Sequence, residues 1–173
     1  MTSNFDSSEV LEKIGRNVLS FQKIEGMLKA LAASPNYSGS LEQIKEQRNK
    51  HHASLKMKSF GLVAKDFFST VYPMNNDHED IEGLFGFSMK IRGGDRERLI
   101  ADIEKIVKER NDLIHHRLLQ VDLASAENCE ELIRHLDEQN SRLQPVYENV
   151  KSLLELMIKA REIAAEKFGS GNH

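Results

Sequence analysis

The sequence predicts an all-α protein, an up-and-down bundle of four to five helices with one long irregular loop over about 73–95. Three observations predict it. Apolar residues recur at three- and four-residue steps over most of the chain, capping and breaking residues stand at the ends of those stretches, and a single stretch rich in Asn, Asp and Gly interrupts them.

The first helix covers about 7–33, where Val10, Ile14, Val18, Phe21, Ile24, Leu28 and Leu31 form one buried stripe. Ser7 or Ser8 supplies its N-cap, and Ser34-Pro35-Asn36 ends it. A second, short and weakly apolar helix begins near Ser40, whose hydroxyl can cap the turn at Leu41, and runs through Lys45, Arg48, Lys50, His51 and His52. A third covers about 55–72 on the strength of Phe60, Leu62, Val63, Phe67, Phe68 and Val71, and stops before Pro73. In the loop that follows, Leu84-Phe85-Gly86-Phe87-Ser88-Met89-Lys90-Ile91 is either extended or a lid packed by its own aromatics. Gly94-Asp95 opens a strong helix to about 121, striped by Leu99, Ile100, Ile103, Ile106, Val107, Leu113, Ile114 and Leu118.

Ser125 caps the last long segment, in which Leu132, Leu136, Leu143, Val146, Val150, Leu153, Met157 and Ala160 keep nearly heptad spacing. Pro145 interrupts it, so the segment is either one kinked helix or two helices meeting near Gln144. The bundle forms one domain with a core over about 7–168, and the tail 169–173 is expected to fray.

Composition narrows the function classes. The 173 residues are 39% hydrophobic and 29% charged with a formal charge of −3, the balance of a folded domain without a general basic excess. Any contact with RNA must therefore come from a local patch or a composite groove. No apolar run approaches the roughly 18 residues of a membrane span. Cys129 is the single cysteine, and the opening Met-Thr-Ser-Asn-Phe-Asp is not a basic segment followed by an apolar run, so a cytoplasmic location is expected.

The chemistry-bearing run is Glu109-Arg110-Asn111-Asp112-Leu113-Ile114-His115-His116. On a helical wheel Arg110 lies within roughly 20° of the centre of the apolar stripe, with Asn111 and His115 together on one flank at roughly 80° and 120°. An arginine thus occupies a leucine's place, and a guanidinium there needs a partner or a ligand. Glu25, between Phe21 and Leu28, and Asn17 lie inside the stripe of the first helix, and one of them is expected to meet Arg110. Asn111 and His115, one turn apart, can share a ligand, whereas His116 points toward the polar face and is a supporting residue only.

Arg110-Asn111-x-x-x-His115 resembles the R-N-x-x-x-H form of the HEPN signature, which in that family sits on a late helix of a four- or five-helix bundle. The layout is similar as well. Val18-Leu19-Ser20-Phe21-Gln22-Lys23-Ile24-Glu25 precedes the motif on a first helix, Lys58-Ser59-Phe60-Gly61-Leu62-Val63 marks a middle one, and a long helix closes the chain, so the resemblance spans about 7–167. It implies a homodimer in which two copies of Arg110 and His115 form one composite site that cuts RNA without a metal or other cofactor. It also implies a role as a toxin or in phage defence, with a protein antagonist. In the toxin branch a tyrosine stands two places after the histidine. Here that position holds Arg117, so control by modification of such a tyrosine is not expected.

Two other features are weighed against solvated surface. Lys45, Arg48 and Lys50 head a local basic surplus suited to a phosphate backbone. His51-His52 point to different sides of their helix, and Asp77-His78-Glu79-Asp80 reads as a solvated loop, so neither is assigned a metal. The competing functional reading is a non-catalytic helical module for dimerisation or for partner or RNA binding, with Arg110 retained in a structural ion pair.

Overall fold

The computed structural model describes residues 7–33, 37–38, 40–71, 86–87 and 95–169. Among the described residues the fold is all-α apart from one two-residue ladder. The helices are α1 (Ser8–Ala32), α2 (Leu41–Lys56), α3 (Phe60–Thr70), α4 (Arg96–Asp112), α5 (Leu118–Gln120) and α6 (Ala126–Gly169), with a π-helical turn, Leu113–Arg117, joining α4 to α5. Strands β1 (Tyr37–Ser38) and β2 (Gly86–Phe87) pair antiparallel, Tyr37 opposite Phe87. The extended alternative therefore holds at Gly86–Phe87, and 73–85 and 88–94 of the expected loop lie outside the described residues.

Helix starts follow local chemistry. Ser40 makes a reciprocal capping box with Gln43, its hydroxyl accepting from the Gln43 N–H while the Gln43 side chain accepts from the Ser40 N–H at 2.9 Å. Asp95 caps α4 by accepting from the Arg98 N–H at 3.0 Å, and Ser125 accepts from the Asn128 N–H at the start of α6. Ser7 occupies the N-cap of α1 in a helical conformation without a capping side-chain bond. The boundary between α2 and α3 falls at 57–59 rather than before Leu55, which is a buried residue of α2.

The stripes meet in one core. Phe21, Ile24, Leu28 and Leu31 of α1, Val63 and Phe67 of α3, Ile103 and Ile106 of α4 and Leu136, Leu143, Val146 and Val150 of α6 are buried together. Antiparallel packing joins α3 to α4, since the Gly61 end faces Val107 and Phe68 faces Arg96. A second antiparallel hairpin joins α4 to α6, which brings Glu109 against Gln139 and Arg142.

At 44 residues, α6 runs on unbroken through Pro145 for about 66 Å. The ring of Pro145 lies on the solvent side, and so does Ser141, whose carbonyl loses its helical donor, so water can satisfy that group without ending the helix. Gly169 is the last residue of α6, and 170–173 lie outside the described residues. Among the described residues no helix is long and apolar enough to cross a membrane.

Candidate functional site

The motif lies where α4 gives way to the π-turn. Ile106 and Leu113 bracket Arg110 along the stripe and are buried, yet Arg110 itself is only partly buried. Its long side chain carries the guanidinium out of the seam, where Nη1 donates to Asn111 Oδ1 at 3.0 Å. Asn111, His115 and His116 are all exposed, so exposure does not separate the two histidines. Among the described residues no hydrogen bond or ion pair holds the His115 ring.

The expected bridge from the first helix to Arg110 does not form. Glu25 pairs with Lys29, one turn along its own helix, at 2.7 Å. Asn17 is fully buried, but its Nδ2 donates to the Leu136 carbonyl at 2.8 Å and to Gln139 Oε1 at 3.0 Å. The wheel gives the side of α1 on which these residues lie; the neighbour that Asn17 meets there is α6, not the end of α4.

The buried polar seam is built from other residues. Gln139, also fully buried, passes the network on by donating Nε2 to the Glu109 carbonyl at 3.4 Å, and Arg142 Nε donates to Glu109 Oε1 at 2.7 Å. At its other edge Lys13 and Arg16 grip Asp137 at 2.7 and 3.0 Å and hold that carboxyl below its ordinary value. His135, Gln139 and Arg142 follow at i, i+4 and i+7 on α6, a spacing that marks a polar strip turned toward α4. The apolar heptad running beside that strip masks it in the sequence.

The π-turn has no sequence signal. The Leu118 N–H donates to the Leu113 carbonyl, five residues back. Asp112 and Arg117 are also five apart, and Arg117 Nε reaches Asp112 Oδ2 at 2.6 Å. In a regular α-helix residues five apart sit about 140° from each other, so this pair belongs to the widened turn and spans the stretch that carries His115. Leu119, just beyond, is 79% exposed.

No family model, characterised protein or solved structure matches the chain. The site therefore stands on its own geometry.

Across the π-turn, His135 Nε2 and Glu109 Oε2 are both buried without a hydrogen-bond partner among the described residues. Burial lowers the His135 pKa below its usual 6.5, and the nearby Arg117 and Arg142 lower it further against the opposing pull of Asp112 and Glu109. The unfolded chain thus takes up this proton at a higher pH than the folded one, and stability present above pH 6.5 is lost as pH falls below it. Urea midpoints at about pH 7.5 and about pH 5.5 should differ less in His135→Gln than in the wild type. Equal differences in the two proteins would show that the acid sensitivity arises elsewhere.

Lys45 and Arg48 are exposed on α2, as is Lys50, whose ammonium pairs with Glu46 at 2.7 Å and holds that carboxyl below its ordinary value. The His51 ring is tied to the Ala32 carbonyl at 3.0 Å. The segment 77–80 lies outside the described residues, and among those described no three His, Cys, Asp or Glu side chains converge.

Proposed function

We propose that the protein is a metal-independent endoribonuclease of the HEPN kind, cytoplasmic, and active as a homodimer in which two copies of Arg110 and His115 share one cleft. One observation carries this reading. The Arg110 guanidinium is oriented by Asn111 and, among the described residues, meets no carboxylate, and the His115 ring five residues further on is exposed and held by no described residue. The competing reading, a non-catalytic module for dimerisation or for partner or RNA binding, gains nothing from the ion pair at Arg110 that would suit it, since among the described residues that role falls to its neighbour Glu109 through Arg142.

The chemistry is that of the ribose 2′-hydroxyl. His115 takes the hydroxyl proton as the 2′-oxygen attacks the adjacent phosphorus, the bond to the 5′-oxygen breaks, and a second imidazole returns a proton to the leaving oxygen. Arg110 stabilises the charge that builds on the phosphorane oxygens. Each imidazole is supplied by one subunit, which gives the dimer its purpose, and exposed Leu119 offers apolar surface for the contact. A π-turn at the motif fits this reading, because such turns are frequent at functional sites. With the resemblance goes a role as a toxin or in phage defence, with a protein antagonist.

Labelled single-stranded RNA incubated with the protein in EDTA should be cut to products ending in a 2′,3′-cyclic phosphate, while DNA of the same sequence stays intact. Cleavage of the DNA, or loss of all cleavage in EDTA, would count against the reading.

A further inference from the structure

Helix α2 contributes little to the fold. Of its described side chains only Leu55 is buried, Ile44 and His51 are partly covered, and the others are exposed. Local chemistry holds it instead, through the capping box at Ser40. Its solvated surface is therefore available for a task that packing does not dictate.

The charges on that surface are sorted. With Lys45 set at zero on a wheel of about 100° per residue, Lys56 falls at about 20°, His52 at about −20° and Arg48 at about −60°. No acid enters this arc, since Glu42 and Glu46 fall at about 60° and 100°. Lys45, Arg48, His52 and Lys56 are all exposed and make no ion pair or hydrogen bond with another described residue. They succeed one another by about 4.5, 6 and 6 Å along the helix axis. Lys50, which the linear sequence groups with them, faces the opposite side and is bound to Glu46.

The geometry points to this strip of Lys45, Arg48, His52 and Lys56 as a track for the phosphate backbone of single-stranded RNA. The inference rests on the nuclease reading for the choice of RNA, and it assigns the polymer a second foothold away from Arg110 and His115. A row of cations at near-regular steps matches a polymer with one charge per unit. An anionic membrane fits less well, because a surface-lying helix needs a large apolar face and the buried leucine of α2 is already taken up in the core. An acidic protein fits less well too, since among its described side chains the strip has no apolar anchor to form the desolvated centre of an interface.

The test uses a fluorescent 2′-O-methyl oligoribonucleotide, which cannot be cleaved through its 2′-oxygen, and follows anisotropy against salt. Replacing Lys45→Gln, Arg48→Gln and Lys56→Gln together should weaken binding and reduce the slope of log affinity against log salt by about 2, at about 0.7 for each phosphate no longer neutralised. Lys50→Gln should leave the slope unchanged, and the thermal midpoints should match, because all these side chains are exposed. An unchanged slope in the triple variant would overturn the track while leaving the nuclease reading intact if RNA is still cut. Slope-sensitive binding by a protein that never cuts RNA would do the reverse. Wild-type binding to phosphatidylserine vesicles without binding to the oligonucleotide would also overturn the proposal.

Discussion

Alanine at His115 or at Arg110 is expected to slow RNA cleavage by about 10²–10⁴-fold, the usual contribution of a positioned acid–base group or of a donor aimed at developing charge. Fold and association should survive both changes. His115 is exposed and unheld by the described residues, and among those residues Arg110 loses only its bond to Asn111. Asn111→Ala should have a smaller effect in the same direction, because it frees the guanidinium without removing it. Thermal midpoints measured beside the rates separate lost chemistry from lost structure; equal rates in all four proteins would mean that these residues do not act on RNA.

The largest effect on stability is expected at Phe67. Its ring is fully buried, tilted at 60° against Phe68 with centroids 5.0 Å apart, and it joins α3 to the core. Truncation to alanine removes a large apolar group and leaves a space that the surrounding helices fill only in part, at a cost of about 3–5 kcal/mol. Leu62, on the same helix but 53% exposed, should cost no more than about 0.5 kcal/mol when replaced by alanine. Urea unfolding monitored by circular dichroism checks both, and similar costs at the two positions would contradict the packing described for α3.

How much of this is legible in the sequence depends on the range of the interaction concerned. Caps and stripes are local, so Ser40, Asp95 and Ser125 can be placed at helix starts from their neighbours alone, and the structure agrees on all three. The path through Pro145 depends on which side faces water, because a proline on a solvated face only exposes a carbonyl whereas one turned inward would strand it. The misplacement of Glu25 and Asn17 has the same origin. A wheel gives the azimuth of a residue on its own helix but says nothing about which neighbour stands opposite, and Asn17 faces Gln139. The π-turn is beyond reach, since Leu113-Ile114-His115-His116-Arg117 contains no glycine or proline to announce it.

The motif itself takes an altered form in the fold. The sequence places Arg110 in the buried seam and paired across helices; it is instead only partly buried and tied to its sequence neighbour. The buried polar role passes to Asn17, Gln139 and Glu109, which fix the last regular turn of α4 against α1 and α6. The division is physically sensible. Neutral amides and a backbone carbonyl can be buried at small cost when bonded to one another, and the guanidinium is left at the surface, where a phosphate can reach it.

Dilution of wild-type subunits with a silent partner tests the composite site most directly. A mixed dimer of a wild-type subunit and an Arg110→Ala/His115→Ala subunit keeps only one of the two imidazoles that the reaction needs. Mixing wild-type protein with an excess of the double variant after a mild unfolding and refolding step should therefore remove most of the cleavage that the wild-type subunits show alone. If cleavage per wild-type subunit is unchanged while the subunits are shown to exchange, Arg110 and His115 do not meet across a dimer, and the account fails at its centre.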